Sequence, residues 1–167
     1  DGKIFVGGNF TSFNGILKNR IACLNSDGSI DYSFNTGNGA NNTINVIALQ
    51  NDGKIIIGGN FTSFNGTIKN RIARLNSDGS LDSTFNTGSG TNNTINTIAI
   101  QNDGKIIIGG NFTLYNGTVS NRIARLNTDG SLDAIFNIGT GANSIVFKTI
   151  LQNDGKILIG GNFTSLN

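Results

Sequence analysis

The sequence repeats itself every 51 residues, and this repetition restricts the fold more than any other feature. The tetrapeptide Asp-Gly-Lys-Ile marks the start of each unit and stands at Asp1, Asp52, Asp103 and Asp154. The first two units differ at only 12 of 51 positions. A repeat of this size is a supersecondary unit that buries its apolar surface only by stacking against its neighbours. We therefore predict that residues 1–167 belong to one repeat domain with units 1–51, 52–102 and 103–153 and a partial unit 154–167.

Each unit contains four short apolar runs separated by turn residues. In the stretch from Thr43 to Asn93 these runs are Ile44–Leu49, Lys54–Gly59, Arg71–Leu75 and Leu81–Phe85. Asp-Gly pairs separate the first run from the second and the third from the fourth, and such pairs favour tight hairpins. The pattern predicts four antiparallel strands per repeat, of which the fourth is the weakest.

Four antiparallel strands in about 40–50 residues form one blade of a β-propeller. The alternative repeat architecture, a β-solenoid, pairs its strands in parallel and does not need two Asp-Gly hairpins in each unit. We therefore predict an all-β chain of three blades and the start of a fourth, which forms a partial ring. Propellers have about 4–8 blades. We expect either that further blades of the same protein complete the ring or that several copies of the chain associate to do so.

Aromatic residues recur in three columns, and a buried position between blades is the interpretation that we favour for them over a ligand-stacking platform. The first column is Phe10, Phe61, Phe112 and Phe163, the second is Phe34, Phe85 and Phe136, and the third is Phe13, Phe64, Tyr115 and Leu166.

The charge distribution argues against two classes of partner. The net charge is only +2, and the Lys and Arg residues are spread evenly through the repeats. A nucleic-acid interface needs a basic patch, and a membrane helix needs about 20 consecutive apolar residues. We expect neither nucleic-acid binding nor membrane insertion.

The sequence lacks the residue types that most enzymes use. It contains no His, one Cys and ten acidic residues, all Asp. The acidic residues stand at recurring places in the repeat, which indicates a role in the fold. Cys23 stands where the next two units have Arg74 and Arg125, and we interpret it as sequence drift. We expect no catalytic residue and no cofactor.

A calcium site is one interpretation of the second Asp-Gly turn, because Asn, Ser and Asp oxygens alternate there around a Gly. The candidate ligands, two per repeat, are Asp27, Asp31, Asp78, Asp82, Asp129 and Asp133. An Arg at the place of the first acidic ligand would repel the cation. We therefore favour the alternative, a hairpin turn whose Asp accepts hydrogen bonds from backbone N–H groups.

Two stretches of the second unit resemble a known family. The sequences DGKIIIGGNFTSFNG (52–66) and NRIARLNSDGSLDSTFN (70–86) resemble the bacterial delta-60 repeat, a β-propeller family of large surface and secreted proteins. The Gly58-Gly59 pair is similar to the glycine pair of kelch blades, although the Tyr and Trp positions of kelch are missing. The resemblance implies a propeller at the cell surface or outside a bacterial cell. It supplies no catalytic residue.

Ligand binding is expected on the loops at the end of the blade opposite to the Asp-Gly turns, because loops on a rigid scaffold usually carry recognition. The candidate ligand-facing residues are Asn41, Asn42, Asn92 and Asn93 on these loops, and Lys148 on the inner strand of the third unit, where the first unit has Val46. The alternative is that these Asn residues only form turns. The function predicted from the sequence is a non-catalytic structural or adhesive module that binds a protein or glycan. The alternative function is a scaffold or substrate-binding propeller in a larger secreted enzyme.

Overall fold

A computed structural model describes residues 2–166, which form strands and turns without any helix. Asp1 and Asn167, which begin the first unit and end the partial unit, lie outside the described residues. The chain divides into two compact units, Asp1–Asp82 and Ser83–Asn167. No helix long and apolar enough to cross a membrane occurs between residues 2 and 166. The predicted all-β architecture is confirmed.

The first compact unit contains two antiparallel sheets, each with a small hairpin, and each sheet with its hairpin is called a blade below. Blade 1 pairs β1 with β4, and blade 2 has the strand order β5–β6–β9. The hairpins are β2–β3 and β7–β8. The strands are β1 (Ile4–Gly7), β2 (Ser12–Phe13), β3 (Ile16–Leu17), β4 (Ile21–Leu24), β5 (Ile44–Leu49), β6 (Ile55–Gly59), β7 (Ser63–Phe64), β8 (Thr67–Ile68) and β9 (Ile72–Leu75).

The second compact unit repeats this arrangement. Blade 3 has the strand order β10–β11–β14 with the hairpin β12–β13, and blade 4 pairs β15 with β16. The strands are β10 (Ile95–Ile100), β11 (Ile106–Gly110), β12 (Leu114–Tyr115), β13 (Thr118–Val119), β14 (Ile123–Leu126), β15 (Val146–Leu151) and β16 (Ile157–Gly161).

The middle strand of a complete blade is buried along its whole length. All five residues of β6 are buried, because β5 and β9 pair with its two edges and side chains cover its two faces. The unbroken apolar run of this strand is what a strand covered on both faces requires. The three main strands predicted for this blade are therefore confirmed.

The fourth predicted strand is reduced to a single bridge. Leu81 bridges Leu75 in blade 2, and Leu132 bridges Leu126 in blade 3. The next residue in blade 2, Asp82, donates its backbone N–H to Arg74 O and turns its carboxylate inward. The carboxylate fixes the chain at this point, and the strand ends.

The structure contains three short hairpins that the sequence pattern did not predict. One hairpin lies in the polar segment after each of the strands β1, β6 and β11. In blade 2 the hairpin turns at Asn65 and Gly66, whose φ angles are 46° and 77°. Positive φ at both central residues is the geometry that favours Asn-Gly in a two-residue hairpin. In blades 1, 2 and 3 the hairpins place Asn-Gly tips at the end of the blade opposite to the Asp-Gly turns. We call this the hairpin end, and the other the turn end.

The core of the first compact unit lies between blade 1 and blade 2. Phe34, Phe61 and Phe64 are all at most 1% exposed and pack with apolar residues of β4, β5 and β6. In the second compact unit Phe112 and Tyr115 are fully buried as well. The predicted role of the aromatic columns in the core is confirmed at these positions.

The glycine pair at the end of the middle strand allows backbone segments to approach closely. A Cβ atom on Gly7 of β1 would lie 2.9 Å from Ile44 Cγ2, in the first strand of the next blade. A Cβ atom on Gly59 would lie 2.2 Å from the carbonyl oxygen of Thr43. That carbonyl accepts a hydrogen bond from the N–H of Asn60. The first glycine of the pair makes room for the next blade, and the second makes room for the blade's own first strand.

A pair of Gly→Ala variants in the second compact unit tests this account. Gly110 is the second glycine of its pair, and a Cβ on it would lie 2.1 Å from Thr94 O. Gly160 is the first glycine of the pair in the next repeat, and a Cβ on it would meet no atom within 4 Å. We expect Gly110→Ala to reduce the free energy of unfolding by about 1–3 kcal/mol, and Gly160→Ala to change it by less than about 0.5 kcal/mol. Urea unfolding followed by circular dichroism measures both, and equal effects would contradict the account.

Candidate functional site

A buried carboxylate stands between two cations in each complete blade. In blade 2, Asp82 Oδ2 lies 2.7 Å from Lys54 Nζ and 2.7 Å from Arg74 Nε, and the Asp side chain is only 5% exposed. Lys54 follows the first Asp-Gly turn and stands directly before β6, and Arg74 lies on β9. The cluster therefore connects β6 and β9 with the segment that follows β9. Its charge is neutralised within the protein.

Blade 3 builds the same cluster from Asp133, Lys105 and Arg125, with distances of 2.7 and 2.8 Å from the carboxylate oxygen to the two nitrogens. The hydrogen bond from Lys105 lowers the pKa of Asp133 from its ordinary value, while burial acts in the opposite direction. The N–H of Ile135 and the Arg125 side chain lower the pKa further.

The first repeat has a simpler version, because Cys23 replaces the Arg. Asp31 Oδ2 pairs with Lys3, and Asp31 Oδ1 accepts hydrogen bonds from Ser33 N at 2.9 Å and Ser33 Oγ at 2.6 Å. The Lys3 hydrogen bond, followed by the Ser33 hydrogen bonds, lowers the pKa of Asp31 far below its ordinary value.

The other calcium candidates form hydrogen bonds within the turn. Asp78 Oδ1 accepts hydrogen bonds from the Ser80 N–H at 2.9 Å and from the Ser80 hydroxyl at 2.6 Å. These two bonds lower the pKa of Asp78, the hydroxyl bond more than the backbone bond. Asp27 and Asp129 bind Ser29 and Ser131 in the same way.

This arrangement does not match the calcium loop that the sequence suggested. The carboxylates of Asp31, Asp82 and Asp133 face Lys and Arg side chains, where a cation would be repelled. Throughout residues 2–166, no three Asp or Cys side chains come together in a group that could hold a metal ion. The hairpin-turn interpretation that the sequence analysis favoured is the one that the geometry supports.

Asn41 and Asn92, two of the predicted ligand-facing residues, hold the hairpin of the following sheet. Asn41 Oδ1 accepts hydrogen bonds from the N–H groups of Thr62 and Ser63 at 2.9 and 3.0 Å, and its Nδ2 donates to Thr62 Oγ1 at 2.9 Å. Asn92 makes the same three bonds to Thr113 and Leu114. Both residues are exposed, so a ligand role stays a prediction, but their amides also fasten the hairpin to the connecting segment.

The remaining predicted residues are placed differently from one another. Asn42 and Asn93 are exposed at the hairpin end, where the Oδ1 of each accepts the N–H of the next residue at 2.7 and 2.8 Å. Lys148 is exposed but lies within β15, opposite Gly160, and not on a connecting loop. Lys148 therefore lies on the strand on which the sequence analysis expected it, and ligand binding by Lys148 and the four Asn residues stays a prediction.

A recurring exposed apolar residue on the second strand of each hairpin was missed by the sequence analysis. Leu17, Ile68 and Val119 occupy the same repeat position and are 74%, 78% and 70% exposed. The signal that could have identified them is an aliphatic residue two positions after each Asn-Gly pair, in a segment that is otherwise polar. Each side chain points away from the blade core, beside an Asn-Gly tip.

The ion cluster predicts a loss of stability in acid. Because the folded-state pKa of Asp133 lies below the unfolded-state value of about 3.9, the cluster stabilises the fold above about pH 4. This stabilisation is lost as the pH falls through the folded-state pKa. We expect the denaturant midpoint of unfolding to fall between about pH 5 and pH 2, and Asp133→Asn to weaken this dependence. An unchanged pH profile in the variant would refute the assignment.

Cys23 and its strand partner Phe5 compensate each other in size, and this pair gives a second prediction. Phe5 is the strand partner of Cys23, and its ring lies edge-on to Phe34 with centroids 5.3 Å apart. In blade 2 the equivalent partners are Ile56 and Arg74. In blade 1 the large Phe5 pairs with the small Cys23, and in blade 2 the smaller Ile56 pairs with the large Arg74. The change to Cys23 therefore goes together with the change to Phe5, which the interpretation of Cys23 as drift did not consider.

We expect Cys23→Arg to destabilise the fold, because the Arg side chain would enter the space that the Phe5 ring fills. Adding Phe5→Ile recreates the pair of blade 2 and should recover much of the loss. A double-mutant cycle on thermal unfolding should give a coupling energy of about 0.5–3 kcal/mol. Additive effects of the two substitutions would show that the residues do not compensate each other.

Comparison with known families agrees with this geometry. The family model described as "Domain of unknown function (DUF5122) beta-propeller" matches residues 1–34, 50–85, 101–136 and 152–167, which is well over half of the chain. No curated protein matches the chain. The four matched segments follow the repeat, and they confirm the β-propeller repeat fold that the sequence predicted. The chain therefore belongs to the β-propeller family of unknown function DUF5122.

Proposed function

We propose that the chain is a non-catalytic binding module that contacts a protein or glycan partner through the hairpin ends of its blades. The observation that supports this proposal most directly is the recurring exposed aliphatic side chain of Leu17, Ile68 and Val119. A single exposed apolar residue is common on protein surfaces and needs no explanation. Here the same position is apolar and exposed in all three hairpins, where a polar residue would be better solvated.

The hairpins are suited to recognition because they are held rigidly. The turn at Asn65 and Gly66 is a tight two-residue turn, and Asn65 Oδ1 accepts a hydrogen bond from the N–H of Asn38 at 3.0 Å. Asn41 fixes the start of β7, the first strand of this hairpin, through three further hydrogen bonds to Thr62 and Ser63. A surface that is ordered before binding loses less conformational entropy when a partner docks.

Each aliphatic side chain has amides and hydroxyls around it. Asn14, Asn65 and Asn116 form the tips, and Thr67 and Thr118 are exposed on the same short strands in blades 2 and 3. Aliphatic side chains pack on the apolar face of a sugar ring or of a peptide, while amides and hydroxyls bond its polar groups. Asn42 and Asn93, at the same ends, would extend this surface.

The absence of catalysis is part of the proposal and is supported by the chemistry of the acidic groups. The sequence contains no His. Asp82 and Asp133 are neutralised by Lys and Arg pairs, and Asp78 is held by a Ser in its own turn. Asp133 lines an open groove of about 370 Å³, but its carboxylate is bound by Lys105 and Arg125, so we propose no general base or nucleophile among these three residues.

We further propose that the module acts at the surface of a bacterial cell or outside it. The resemblance of residues 52–86 to the delta-60 repeat supports this location, and the glycine pair similar to kelch blades supports a related use of the propeller as a binding scaffold. If the chain instead serves a larger secreted enzyme, the same hairpin ends would bind the substrate.

Replacing the three aliphatic residues tests the proposal. On a glycan array, we expect the wild-type chain to bind a subset of glycans and the triple variant Leu17→Ser, Ile68→Ser, Val119→Ser to bind them at least about tenfold more weakly, since each lost contact contributes about 1 kcal/mol. All three side chains are exposed, so the melting temperature should hardly change.

The matched control is Leu49→Ser, which removes an aliphatic side chain that is 56% exposed at the turn end of β5. It should leave glycan binding intact. Glycan binding that survives in the triple variant would reject the hairpin ends as the site. An array on which the wild-type chain binds nothing would reject a glycan ligand and leave a protein as the partner to seek.

A further inference from the structure

The charged side chains of the first compact unit are divided unequally between the two ends of its blades. The sequence contains no Glu, and the Asp residues between positions 2 and 82 all lie at the turn end. Three of them stand in Asp-Gly turns, and two are bound by the Lys that follows such a turn: Asp27, Asp52, Asp78, Asp31 and Asp82. The hairpin end of blades 1 and 2 therefore carries no acidic side chain in the part of the unit that the structure describes.

The same end carries four basic residues. Lys18 and Lys69 follow directly after the hairpin strands β3 and β8. Arg20 and Arg71 stand directly before β4 and β9, and the carbonyl oxygen of Arg71 accepts the N–H of Gly59 at the end of β6. All four residues are half-buried. Neither Lys forms an ion pair with any residue between 2 and 166.

The separation of charge does not show in the sequence, because the Lys and Arg residues are spread evenly through the repeats. Only the fold brings them to opposite ends of a blade. At the turn end Lys54 and Arg74 neutralise Asp82. The basic residues of the hairpin end have no such carboxylate beside them within residues 2–82. The net charge of +2 therefore understates the positive charge of this end.

The Arg residues occupy a backbone conformation that Gly or Asn would adopt with less strain. Arg20 and Arg71 have φ angles of 68° and 65°, in the left-handed region that L side chains rarely enter. Arg122 of blade 3 has the same φ of 68°, and its Nη1 donates to Asn111 O at 2.6 Å. A guanidinium has five N–H donors, and this bond uses one of them. Strained residues of this kind cluster at functional sites.

Hydrogen bonds connect the basic residues of blade 1 with the hairpin of blade 2. Asn19, which stands between the two basic residues of blade 1, donates from Nδ2 to the carbonyl oxygen of Asn38 at 3.0 Å. Three residues further on, Asn41 bonds Thr62 and Ser63 at the start of the blade 2 hairpin. The hairpin ends of blades 1 and 2 are therefore joined into one ordered surface.

We propose that the ligand of the hairpin ends is an acidic glycan, whose carboxylate or sulfate groups bind Lys18, Arg20, Lys69 and Arg71. The inference rests on the proposed function, because it names the class of ligand for the same surface. Arg binds planar carboxylates and sulfate-like anions through paired N–H groups, and Lys adds a mobile point charge. Because the unit has no carboxylate at this end between residues 2 and 82, an anionic ligand meets attraction without repulsion there.

The neighbours of the two Lys residues favour a glycan over a nucleic acid. Leu17 directly precedes Lys18, Ile68 directly precedes Lys69, and both aliphatic side chains are exposed. Aliphatic side chains pack on the C–H groups of a sugar ring, whereas single-stranded nucleic acids are held by stacking on aromatic side chains. Each hairpin thus offers an apolar contact and a cation in adjacent residues.

The test measures binding of the full 167-residue chain to three immobilised polymers by biolayer interferometry at pH 7. Polygalacturonate offers carboxylates, dextran sulfate offers sulfates, and dextran is uncharged. We expect at least one acidic polymer to bind about tenfold or more tightly than dextran at about 50 mM NaCl. Raising the salt to about 500 mM should weaken this binding at least about tenfold, because screening shortens the range of the charges. The comparison of the two acidic polymers identifies the anionic group.

Matched variants locate the charge. The double variant Lys18→Gln, Lys69→Gln should bind the acidic polymer at least about threefold more weakly, since exposed charge pairs contribute up to about 1 kcal/mol each. Lys18→Arg with Lys69→Arg keeps the charge and should keep the binding. The control is Lys156→Gln, which removes a Lys that is 77% exposed at the turn end and should leave binding unchanged. Thermal melts confirm that the variants are folded.

Equal binding of dextran and both acidic polymers, or binding that salt leaves unchanged, would overturn the proposal. So would an equal loss in Lys156→Gln and Lys69→Gln, or a single-stranded oligonucleotide that binds more tightly than either acidic polymer.

The aliphatic variant Leu17→Ser, Ile68→Ser, Val119→Ser separates this inference from the proposed function. Acidic-glycan binding that survives in this variant and is lost in the double Lys variant would support the charge assignment and contradict the aliphatic contact. Binding that is lost in the aliphatic variant and unchanged in the double Lys variant would support the aliphatic contact and overturn the acidic ligand.

Discussion

The close approach of backbone segments at the glycine pair is the contact on which the other features of each blade depend. In the second compact unit, a Cβ on Gly109 would lie 2.8 Å from both Thr97 Cγ2 and Val146 Cγ1, so the first strands of two blades meet over this residue. The buried Thr97 and Thr149 hydroxyls bond each other at 3.0 Å beside it. Because a single sheet of this size cannot cover both of its faces, the middle strand is buried only when the next blade packs there.

Much of this arrangement could be predicted from the sequence, because it follows from local rules. The run Ile44–Leu49 was predicted as a strand with the bounds that the structure shows, and the Asp-Gly turns lie where hairpin chemistry requires them. The hairpin at Asn65-Gly66 follows the same rule and was missed, because its strands are only two residues long. The fourth strand was overpredicted, because the apolar pattern does not reveal that Asp82 must turn inward to meet Lys54 and Arg74.

The candidate site was harder to predict, because its residues act across distances that a sequence pattern does not show. Asn41 bonds residues 21 and 22 positions further along the chain, and Lys54 bonds Asp82 across 28 positions. The same side-chain types could serve turns, ligands or metals, and only the fold selects among these roles. Cys23 shows the same limit, since its small size is explained by Phe5 on the opposite strand and by nothing near it in the sequence.

These internal roles also narrow where a partner can be recognised. Asp, Lys and Arg at the turn end neutralise one another, and the Asn amides at the hairpin end hold backbone groups, so replacing them would disturb the fold as well as any binding. Leu17, Ile68 and Val119 differ, since they are exposed and contribute little to the core. Substitutions at these positions should therefore disturb the fold less than substitutions of the Asp, Lys, Arg and Asn residues. At this position the three repeats carry Leu, Ile and Val, so the residue changes while the apolar character is kept.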